Sequence, residues 1–377
     1  MTKTLVVTND FPPRPGGIQA FVHNLAVRRP PGSVVVYAPE WKGAAEFDAR
    51  QPFPVVRHPT RLMLPVPAVL RRAAGIMRAE NCDSVVFGAA APLGLLAPGL
   101  RRAGAGRVIG LTHGHEAGWA SLPGSRALLR RIGDGTDVLT YLGEYTRGRI
   151  AAGLSPAAAA RMRRLAPGVD ETVFRAGAGG AEIRARHGLA DRPVVVCVSR
   201  LVPRKGQDAL IHAWPRVRRA IPDAALLLVG GGPYRPALER LRTELDVADS
   251  VRITGTVPWE ELPAHYDAGD VFAMPCRTRR RGLDVEGLGI VYLEASATGL
   301  PVIAGDSGGA PDAVLRGETG LVIDGRSVAA VADSVIELLR NPAGAAAMGD
   351  KGRSWVEREW RWTVQARRFA TLLESQE

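Results

Sequence analysis

The chain has 377 residues, of which 46% are hydrophobic and 23% charged, and its net charge is +11. This composition is typical of a folded globular protein, and the length exceeds the roughly 250–300 residues at which a single core stops growing, so we expect two domains. No run of about 18 apolar residues is present, which argues against a membrane-spanning helix. A strand begins at Leu5 without a preceding signal peptide, and three scattered cysteines indicate reduced thiols, so we expect a cytoplasmic protein.

The positive charge is compatible with three kinds of partner: nucleic acid, an anionic membrane surface, or phosphorylated substrates. Nucleic-acid binding would require clustered basic residues interleaved with aromatic ones, or a known reading motif, and the sequence has neither. We therefore expect no nucleic-acid partner.

Strands and helices alternate through the first half of the chain, which predicts a parallel, doubly wound α/β sheet. Ligands of such sheets bind beyond the carboxyl ends of the strands, so the residues that follow each strand are the candidate site residues. We predict a helix at Ile18–Val27 and strands at Leu5–Thr8, Val34–Tyr37, Ser84–Phe87, Val108–Thr112 and Asp137–Thr140.

The loop after the first strand contains Gly16 and Gly17 directly before the predicted helix. Glycines let a ligand approach the backbone closely, although a plain tight turn fits this loop equally well. The loop is not a G-x-G-x-x-G fingerprint, and the acidic residue expected on the second strand is absent. Both facts argue against a nicotinamide-dependent oxidoreductase.

His113 is the first residue after the strand that ends at Thr112, and Gly114, His115 and Glu116 follow it. Two histidines and a glutamate could bind a metal, but no third distant ligand can be named, so we expect no metal here. We predict that His113 projects into a cleft as a hydrogen-bonding or cationic group. A structural role is compatible with His115.

Residues 65–78 predict a basic amphipathic helix. Its apolar side carries Val66, Val69, Leu70, Ala73 and Met77, and its other sides carry Arg71, Arg72 and Arg78. Such a helix can lie on an anionic membrane. The interpretation that we favour is an ordinary helix packed on the sheet, with solvated arginines.

A second alternating series follows Pro167–Asp170, which we interpret as the junction between two halves. Its predicted strands are Pro193–Val198, Leu226–Val229, Val251–Thr254, Val271–Met274 and Pro301–Ala304. Arg200 and Lys205 follow the first of these strands, and two cations facing a helix N-terminus would bind a diphosphate strongly. A further basic run, Arg277 and Arg279–Arg281, could guide phosphorylated substrates or be a solvated loop.

The segment Asp284–Val314 predicts a loop, a helix that begins near Ile290 and ends at Gly299, and a short strand. The free amides at such a helix start are suited to a phosphate. Glu286 and Glu294 would repel a phosphate, so we expect them to accept hydrogen bonds from hydroxyl groups on both sides of a diphosphate, as in a nucleotide-sugar. A solvated face with two glutamates is the alternative.

Together these motifs resemble the retaining glycosyltransferases of family 4, which have the GT-B fold, over almost the whole chain. Ser199 departs from the family pattern, in which glycine often precedes the two residues that correspond to Arg200 and Leu201. The segments most similar to mannosyltransferases that extend phosphatidylinositol mannosides with GDP-mannose are His113–Glu116, Tyr141–Thr146, Met274–Thr278 and Leu283–Glu286.

The resemblance implies two Rossmann-like, doubly wound domains that face each other across a cleft. The acceptor-side domain would span 1–168, completed by a C-terminal helix at about 358–377, and the nucleotide-sugar domain would span 169–357. The resemblance implies that Arg200 and Lys205 bind the diphosphate, together with the backbone of Gly16, Gly17, Gly289, Ile290 and Val291. It implies that Glu294 binds the ribose, that Glu286 binds hydroxyl groups of the sugar, and that Val257 lies near the base. His113 would contact the sugar near its reacting carbon.

The resemblance also implies GDP-mannose as the donor and a phosphatidylinositol mannoside or related glycolipid as the acceptor, at the inner face of the plasma membrane. Transfer would retain configuration by front-face attack, without a metal or other cofactor. We expect Arg200→Ala, Lys205→Ala and Glu286→Ala each to abolish most turnover while leaving the fold intact. Two alternatives stay open: a family 4 transferase with another donor and a soluble acceptor, and a non-catalytic nucleotide-binding protein of the same fold.

Overall fold

The computed structural model describes residues 3–120, 122–282 and 284–374. Its contacts divide the chain into two compact units, Met1–Pro167 with Trp362–Glu377, and Gly168–Arg361. The division falls beside the junction expected from the sequence. The last helix begins at Trp362 rather than near residue 358, because the preceding helix continues to Glu359.

The first unit is built on a parallel sheet which, within the described residues, has seven strands in the order β3-β2-β1-β4-β5-β6-β7. The strands are β1 (Thr4–Val7), β2 (Val34–Pro39), β3 (Val55–His58), β4 (Ser84–Phe87), β5 (Arg107–Gly110), β6 (Val138–Tyr141) and β7 (Arg163–Arg164). The helices are α1 (Gly17–Val27), α2 (Ala44–Asp48), α3 (Pro67–Ala79), α4 (Ala97–Arg102), α5 (Glu116–Trp119), α6 (Pro123–Gly135), α7 (Glu144–Ala151), α8 (Pro156–Ala160) and the C-terminal α16 (Trp362–Glu374).

Helix α3 packs one side of itself into a core on one face of this sheet. Successive side chains of a strand point to opposite faces, and Leu5 and Val7 of β1 share that core with Val69, Ala73 and Met77 of α3. Arg71, Arg72 and Arg78 are exposed. The favoured interpretation, an ordinary helix packed on the sheet with solvated arginines, is confirmed, and the buried side of α3 is not available to a membrane.

The C-terminal helix α16 covers the other face. Phe369 and Leu373 of α16 share a core with Val6 of β1 and Phe21 of α1. The end of the chain is therefore part of the first unit. Without α16, these apolar side chains of β1 and α1 would be exposed to solvent.

The second unit is built on a parallel sheet with the strand order β10-β9-β8-β11-β12-β13, six strands within the described part of the chain. The strands are β8 (Val194–Val198), β9 (Ala225–Val229), β10 (Val251–Gly255), β11 (Val271–Met274), β12 (Val302–Gly305) and β13 (Gly320–Ile323). The helices are α9 (Gly180–His187), α10 (Gln207–Ala220), α11 (Arg235–Glu244), α12 (Leu262–Asp267), α13 (Ile290–Thr298), α14 (Val328–Arg340) and α15 (Pro342–Glu359).

The order of the second sheet reverses between β8 and β11, which pair directly. A ligand of a doubly wound sheet binds outside the carboxyl ends of the strands at such a point. The loops that leave β8 and β11 pack closely there. Gly206 has φ 79°, and a Cβ on it would lie 2.1 Å from the carbonyl oxygen of Pro275, so only glycine fits.

All ten strands predicted from sequence are present, with ends shifted by at most two residues. The sequence analysis did not predict β3, β7 and β13, because β3 is half-buried along its length and β7 has only two residues, both arginine. No helix among residues 3–120, 122–282 and 284–374 is long and apolar enough to cross a bilayer.

Candidate functional site

The structure brings Lys205 and Glu286 together at the carboxyl edge of the second sheet. Lys205 follows β8 and Glu286 lies in the loop after β11, and the Lys205 Nζ donates to Glu286 Oε2 over 2.6 Å. Their side chains are 10% and 9% exposed. Removing one partner of such a buried ion pair leaves an uncompensated charge. We therefore revise the expectation that Lys205→Ala and Glu286→Ala leave the fold unaffected, since both residues also stabilise this edge.

Arg204 is a second cation beside this pair. Its Nε lies 3.9 Å from Glu286 Oε2, and its Nη1 lies 3.5 Å from Asp284 Oδ1. The sequence analysis assigned Arg204 no role, although its position directly before Lys205 was a usable signal. The loop that carries Glu286 is thus held by two cations of the segment after β8.

Two glycines after β12 support the backbone of the same loop. The Gly309 N–H donates to the Glu286 carbonyl oxygen over 2.8 Å. A Cβ on Gly308, which has φ 58°, would lie 2.1 Å from that oxygen, and a Cβ on Gly309 would lie 2.1 Å from the carbonyl oxygen of Gly287. Real contacts are never this short, so any side chain here would displace the segment that positions Glu286.

Helix α13 starts at this loop, as predicted. Gly289 precedes it with φ 78° and ψ 66°, and neither a side-chain cap nor an acidic residue occupies its first turn. A Cβ on Gly289 would lie 2.5 Å from the ring of Tyr292. The first amides of α13, including those of Ile290 and Val291, keep the anion-binding capacity of an uncapped helix N-terminus.

Arg200 presents a free guanidinium after β8. The residue is exposed, and its side chain makes no hydrogen bond or ion pair with the described residues. Its backbone is fixed, because Gln207 Nε2 donates to the Arg200 carbonyl oxygen over 3.0 Å and to Ser199 Oγ over 2.8 Å. The serine that departs from the family pattern thus helps to hold the segment that carries Arg200.

Glu294 lies on α13 with a partner that the sequence analysis missed. The Tyr266 hydroxyl donates to Glu294 Oε2 over 2.6 Å. Burial raises the pKa of Glu294 to about 7, against the opposing effect of the Tyr266 hydrogen bond. Near neutral pH the carboxyl group is therefore present in both forms and can donate as well as accept a hydrogen bond. No local signal in the sequence pointed to Tyr266, which is a buried residue of α12.

Val257 lies apart from this cluster. It is half-buried and follows β10, the edge strand. Strands β10 and β8 are separated by β9, and two strand spacings amount to about 10 Å. Val257 is therefore placed to the side of the Lys205–Glu286 pair, at the same edge of the sheet.

Gly16 and Gly17 lie at the start of α1 in the first unit, and both are exposed. Gly16 has φ 154°, which favours glycine, and a Cβ there would meet Gln19 Oε1 at 2.1 Å. A Cβ on Gly17 would meet nothing within 4 Å. Gly16 is thus required by the backbone, whereas Gly17 is not.

His113 is held in one orientation after β5. Its Nε2 lies 2.6 Å from the carbonyl oxygen of Gly88, and its backbone N–H donates to Glu116 Oε2 over 3.0 Å. A carbonyl oxygen only accepts, so Nε2 carries the hydrogen. Burial lowers the pKa of His113, so of the two roles predicted for it the neutral hydrogen-bonding one fits, with Nδ1 as an acceptor.

Comparisons with known proteins agree with this architecture. Residues 15–173 match the model of Glycosyltransferase Family 4, and residues 181–355 match the model of Glycosyl transferases group 1. Among solved structures, the Anabaena protein HepE in complex with UDP is similar with a TM-score of 0.81, 18% identity and 100% of both chains covered. WaaG, a glycosyltransferase involved in lipopolysaccharide biosynthesis, has a TM-score of 0.66 and 18% identity, with 99% of this chain and 100% of WaaG covered.

Several curated relatives match nearly the whole chain, and two of them are described here. The GDP-mannose-dependent alpha-(1-6)-phosphatidylinositol monomannoside mannosyltransferase of Mycolicibacterium smegmatis is 55% identical, with 98% of this chain and 97% of the relative covered. The GDP-mannose-dependent monoacylated alpha-(1-6)-phosphatidylinositol monomannoside mannosyltransferase of Corynebacterium glutamicum is 48% identical, with 99% and 98% covered.

The chain has two Rossmann-like parallel-sheet domains, and the second has an uncapped helix start and basic residues where its strand order reverses. Together with the matches above, this defines a glycosyltransferase of the GT-B fold. The chain belongs to the glycosyltransferase family that includes these two mannosyltransferases. The resemblance drawn from the sequence motifs is confirmed.

Proposed function

We propose that this protein transfers a mannosyl residue from GDP-mannose to a phosphatidylinositol mannoside acceptor. The observation that carries the proposal is the Lys205–Glu286 pair beside the uncapped start of α13. The free guanidinium of Arg200 follows β8, the same strand that precedes Lys205. The two relatives above, which are named for this donor and this kind of acceptor, support the choice of substrates.

Binding of the donor exchanges partners within the cluster. A diphosphate oxygen would take Lys205 Nζ from Glu286 Oε2, to which it now donates over 2.6 Å, and hydroxyl groups of the sugar would then donate to the freed Glu286 carboxylate. Arg200 and the first amides of α13 need no such exchange. Every charge in the cluster stays compensated, because each broken contact is replaced by a contact to the donor.

The same groups lower the barrier to transfer. As the bond between sugar and phosphate breaks, negative charge grows on GDP, and fixed cations and amides stabilise it without reorganisation. Losing one such donor costs about 2.7–4 kcal/mol in related cases. These charges supply what a metal would supply, so we propose metal-independent transfer. With the leaving group and the acceptor on one face of the sugar, configuration is retained.

Glu294 and Val257 bind the rest of the nucleotide in this proposal. Glu294, whose orientation the Tyr266 hydroxyl fixes over 2.6 Å, would bond to the ribose hydroxyls. Val257, about two strand spacings from β8, would contact the base. A nucleotide extends over this distance from its diphosphate to its base.

The groups of the first unit keep their expected roles as proposals. The exposed amides at Gly16 and Gly17 are suited to an anion at the start of α1. His113 offers Nδ1 as an acceptor for a sugar hydroxyl, because its Nε2 is engaged with Gly88. We expect His113→Ala to lower kcat more than it raises KM for the donor.

The acceptor lipid implies peripheral contact with an anionic membrane at its cytoplasmic face. The segment before α3 exposes Leu62, Leu64 and Val66 by 55%, 52% and 42%. Asn9 fixes this segment, because its side chain donates to the Met63 carbonyl oxygen over 2.9 Å and accepts from the Met63 N–H over 2.7 Å. We propose that these side chains, and not the buried side of α3, insert into the membrane interface.

The donor is tested by a transfer assay with GDP-mannose and UDP-sugars on phosphatidylinositol mannoside in vesicles. We expect turnover with GDP-mannose and none with the UDP-sugars. Arg200→Ala should lower kcat by about a hundredfold to a thousandfold. Turnover with a UDP-sugar and a soluble acceptor would overturn the substrate assignment. GDP binding without any turnover would favour the non-catalytic alternative.

Membrane contact is tested by cosedimentation with anionic vesicles. The variant Leu62→Ser/Leu64→Ser should lose binding. Leu122→Ser, which changes another exposed leucine of the first unit, is the matched control and should keep it. Equal binding of the two variants would contradict the proposed contact.

A further inference from the structure

A cavity of about 500 Å³ in the second unit lies beside the loop that leads to Glu286. It is lined by residues of the first turns of α10, by the segment Arg277–Arg280 and by the residues that start α14. None of these lining residues belongs to the cluster around Lys205.

The lining is strongly basic. Among the described residues that line it there is one acid, Asp208, and the basic residues are His212, Arg277, Arg279, Arg280 and Arg326. That acid is already engaged, since Arg277 Nη2 donates to Asp208 Oδ2 over 2.6 Å and the Tyr234 hydroxyl donates to the same oxygen over 3.1 Å. Once Arg277 and Asp208 cancel, the positive charges of Arg279, Arg280 and Arg326 remain around the cavity.

Two of the remaining arginines, Arg280 and Arg326, have no acidic side chain as an ion-pair partner among the described residues. Arg280 is exposed and makes no hydrogen bond or ion pair within the described residues. Arg326 donates to a neutral group, the Thr278 carbonyl oxygen. The charge of Arg279 is partly compensated, because its Nη1 lies 3.9 Å from Asp284 Oδ2. Like charges gathered in one place repel each other, and an anion in the cavity would relieve this repulsion.

Two helices add to the positive potential. α10 has 14 residues and α14 has 13, and both begin at the cavity, so their positive dipole ends point towards it. The first turn of α14 contains no acidic residue, and that of α10 contains only the engaged Asp208.

We propose that this cavity is a second anion site, separate from the diphosphate site at α13, and that it binds a phosphate group. Arg280 and Arg326 are its principal contacts, because guanidinium groups bind phosphate oxygens through paired hydrogen bonds. The ligand chemistry is that of inorganic phosphate and of the phosphodiester of an inositol lipid headgroup. The inference concerns binding only and does not depend on which sugar the enzyme transfers.

The test is a calorimetric titration of inorganic phosphate into the full-length protein saturated with GDP, so that the donor site is occupied. We expect one phosphate to bind the wild-type protein. The variant Arg280→Ala/Arg326→Ala should bind it at least about tenfold more weakly, since a hydrogen bond to a charged group contributes about 1.5–3 kcal/mol.

The matched control is Arg219→Ala/Arg340→Ala. It removes the same charge from the last turns of α10 and α14, at the far ends of the two helices that begin at the cavity. Phosphate should bind this control as it binds the wild type, which separates a local site from a general effect of net charge.

A parallel titration with vesicles containing phosphatidylinositol distinguishes the two sources of phosphate. Weaker binding of either ligand to Arg280→Ala/Arg326→Ala than to the control supports the site and identifies its source. Equal affinities of the two double variants for both ligands, or no binding of either ligand to the wild type, overturn the proposal. Neither result bears on mannosyl transfer, which is assayed separately.

Discussion

Replacement of Lys205 by methionine should destabilise the second unit by about 3 kcal/mol. Lys205 Nζ and Glu286 Oε2 lie 2.6 Å apart with side chains 10% and 9% exposed, and breaking a buried ion pair by removing one partner costs about 3–5 kcal/mol. The lower end applies here, because Arg204 Nε lies 3.9 Å from the same carboxylate oxygen and a charge at that distance still contributes up to about 4 kcal/mol of attraction at an effective dielectric constant of 20.

The double variant Lys205→Met/Glu286→Leu should be more stable than Lys205→Met alone. Replacing both members of a buried ion pair by apolar side chains is often neutral or stabilising, so we expect its stability within about 1 kcal/mol of the wild type. Arg216→Met is the control, since its pair with Asp333 is half exposed and should contribute less than about 1 kcal/mol.

The assay is urea unfolding followed by tryptophan fluorescence. A chain of two domains need not unfold in one step, so the transition of the second unit is identified as the one that GDP shifts to higher urea. An unchanged midpoint for Lys205→Met would refute the reasoning. So would a double variant whose loss equals the sum of the two single losses, because the side chains would then not interact.

Three further predictions concern the same unit. The Glu294 carboxyl has a pKa of about 7 in the folded protein, above its ordinary 4.5. The folded state therefore binds a proton that the unfolded state has lost, and stability falls as pH rises between these two values. Relative to the wild type, Glu294→Gln should gain up to about 3 kcal/mol of stability in thermal unfolding as pH rises from 5 to 8, and a pH-independent difference would contradict this. Tyr266→Phe removes the hydrogen bond that orients Glu294 and should raise KM for GDP-mannose by about tenfold with little change in kcat; an unchanged KM would exclude the proposed ribose contact. Gly289→Ala places a Cβ 2.5 Å from the Tyr292 ring at φ 78°, so it should lower both Tm and the donor affinity measured by calorimetry. Gly17→Ala, whose Cβ meets nothing within 4 Å, should keep the Tm of the wild type. A Gly289→Ala variant with the Tm and donor affinity of the wild type would be the contrary result.

The positions of most strands were predictable from the sequence. Buried strands of parallel sheets are short apolar runs rich in β-branched residues. Val194–Val198 and Val271–Met274 are such runs, and each has a proline at one end, Pro193 and Pro275. The edge strand Val55–His58 lacks this pattern, since only two of its four residues are apolar, and it was missed.

The candidate site was predictable as a set of residues but not as a set of contacts. Arg200, Lys205 and Glu286 each follow a strand, and parallel strands bring their carboxyl ends to one edge. That Lys205 and Glu286 form an ion pair, although 81 positions separate them, depends on β8 and β11 being neighbours. The sequence contains no local signal for this strand order.

By itself, the sequence determined the alternation of strands and helices, the start of α13 and the family, because these depend on local periodicity, on glycine and proline positions and on motif spacing. The tertiary structure decided the chemistry of the individual groups. Burial lowers the pKa of His113 and so favours its neutral form, while the Gly88 carbonyl oxygen fixes which ring nitrogen carries the hydrogen. Glu294 titrates near neutrality because α12 and α13 enclose it. Helix α3 packs its apolar side against the sheet, where these side chains share the core of β1. Protonation and exposure depend on neighbours that only folding brings together.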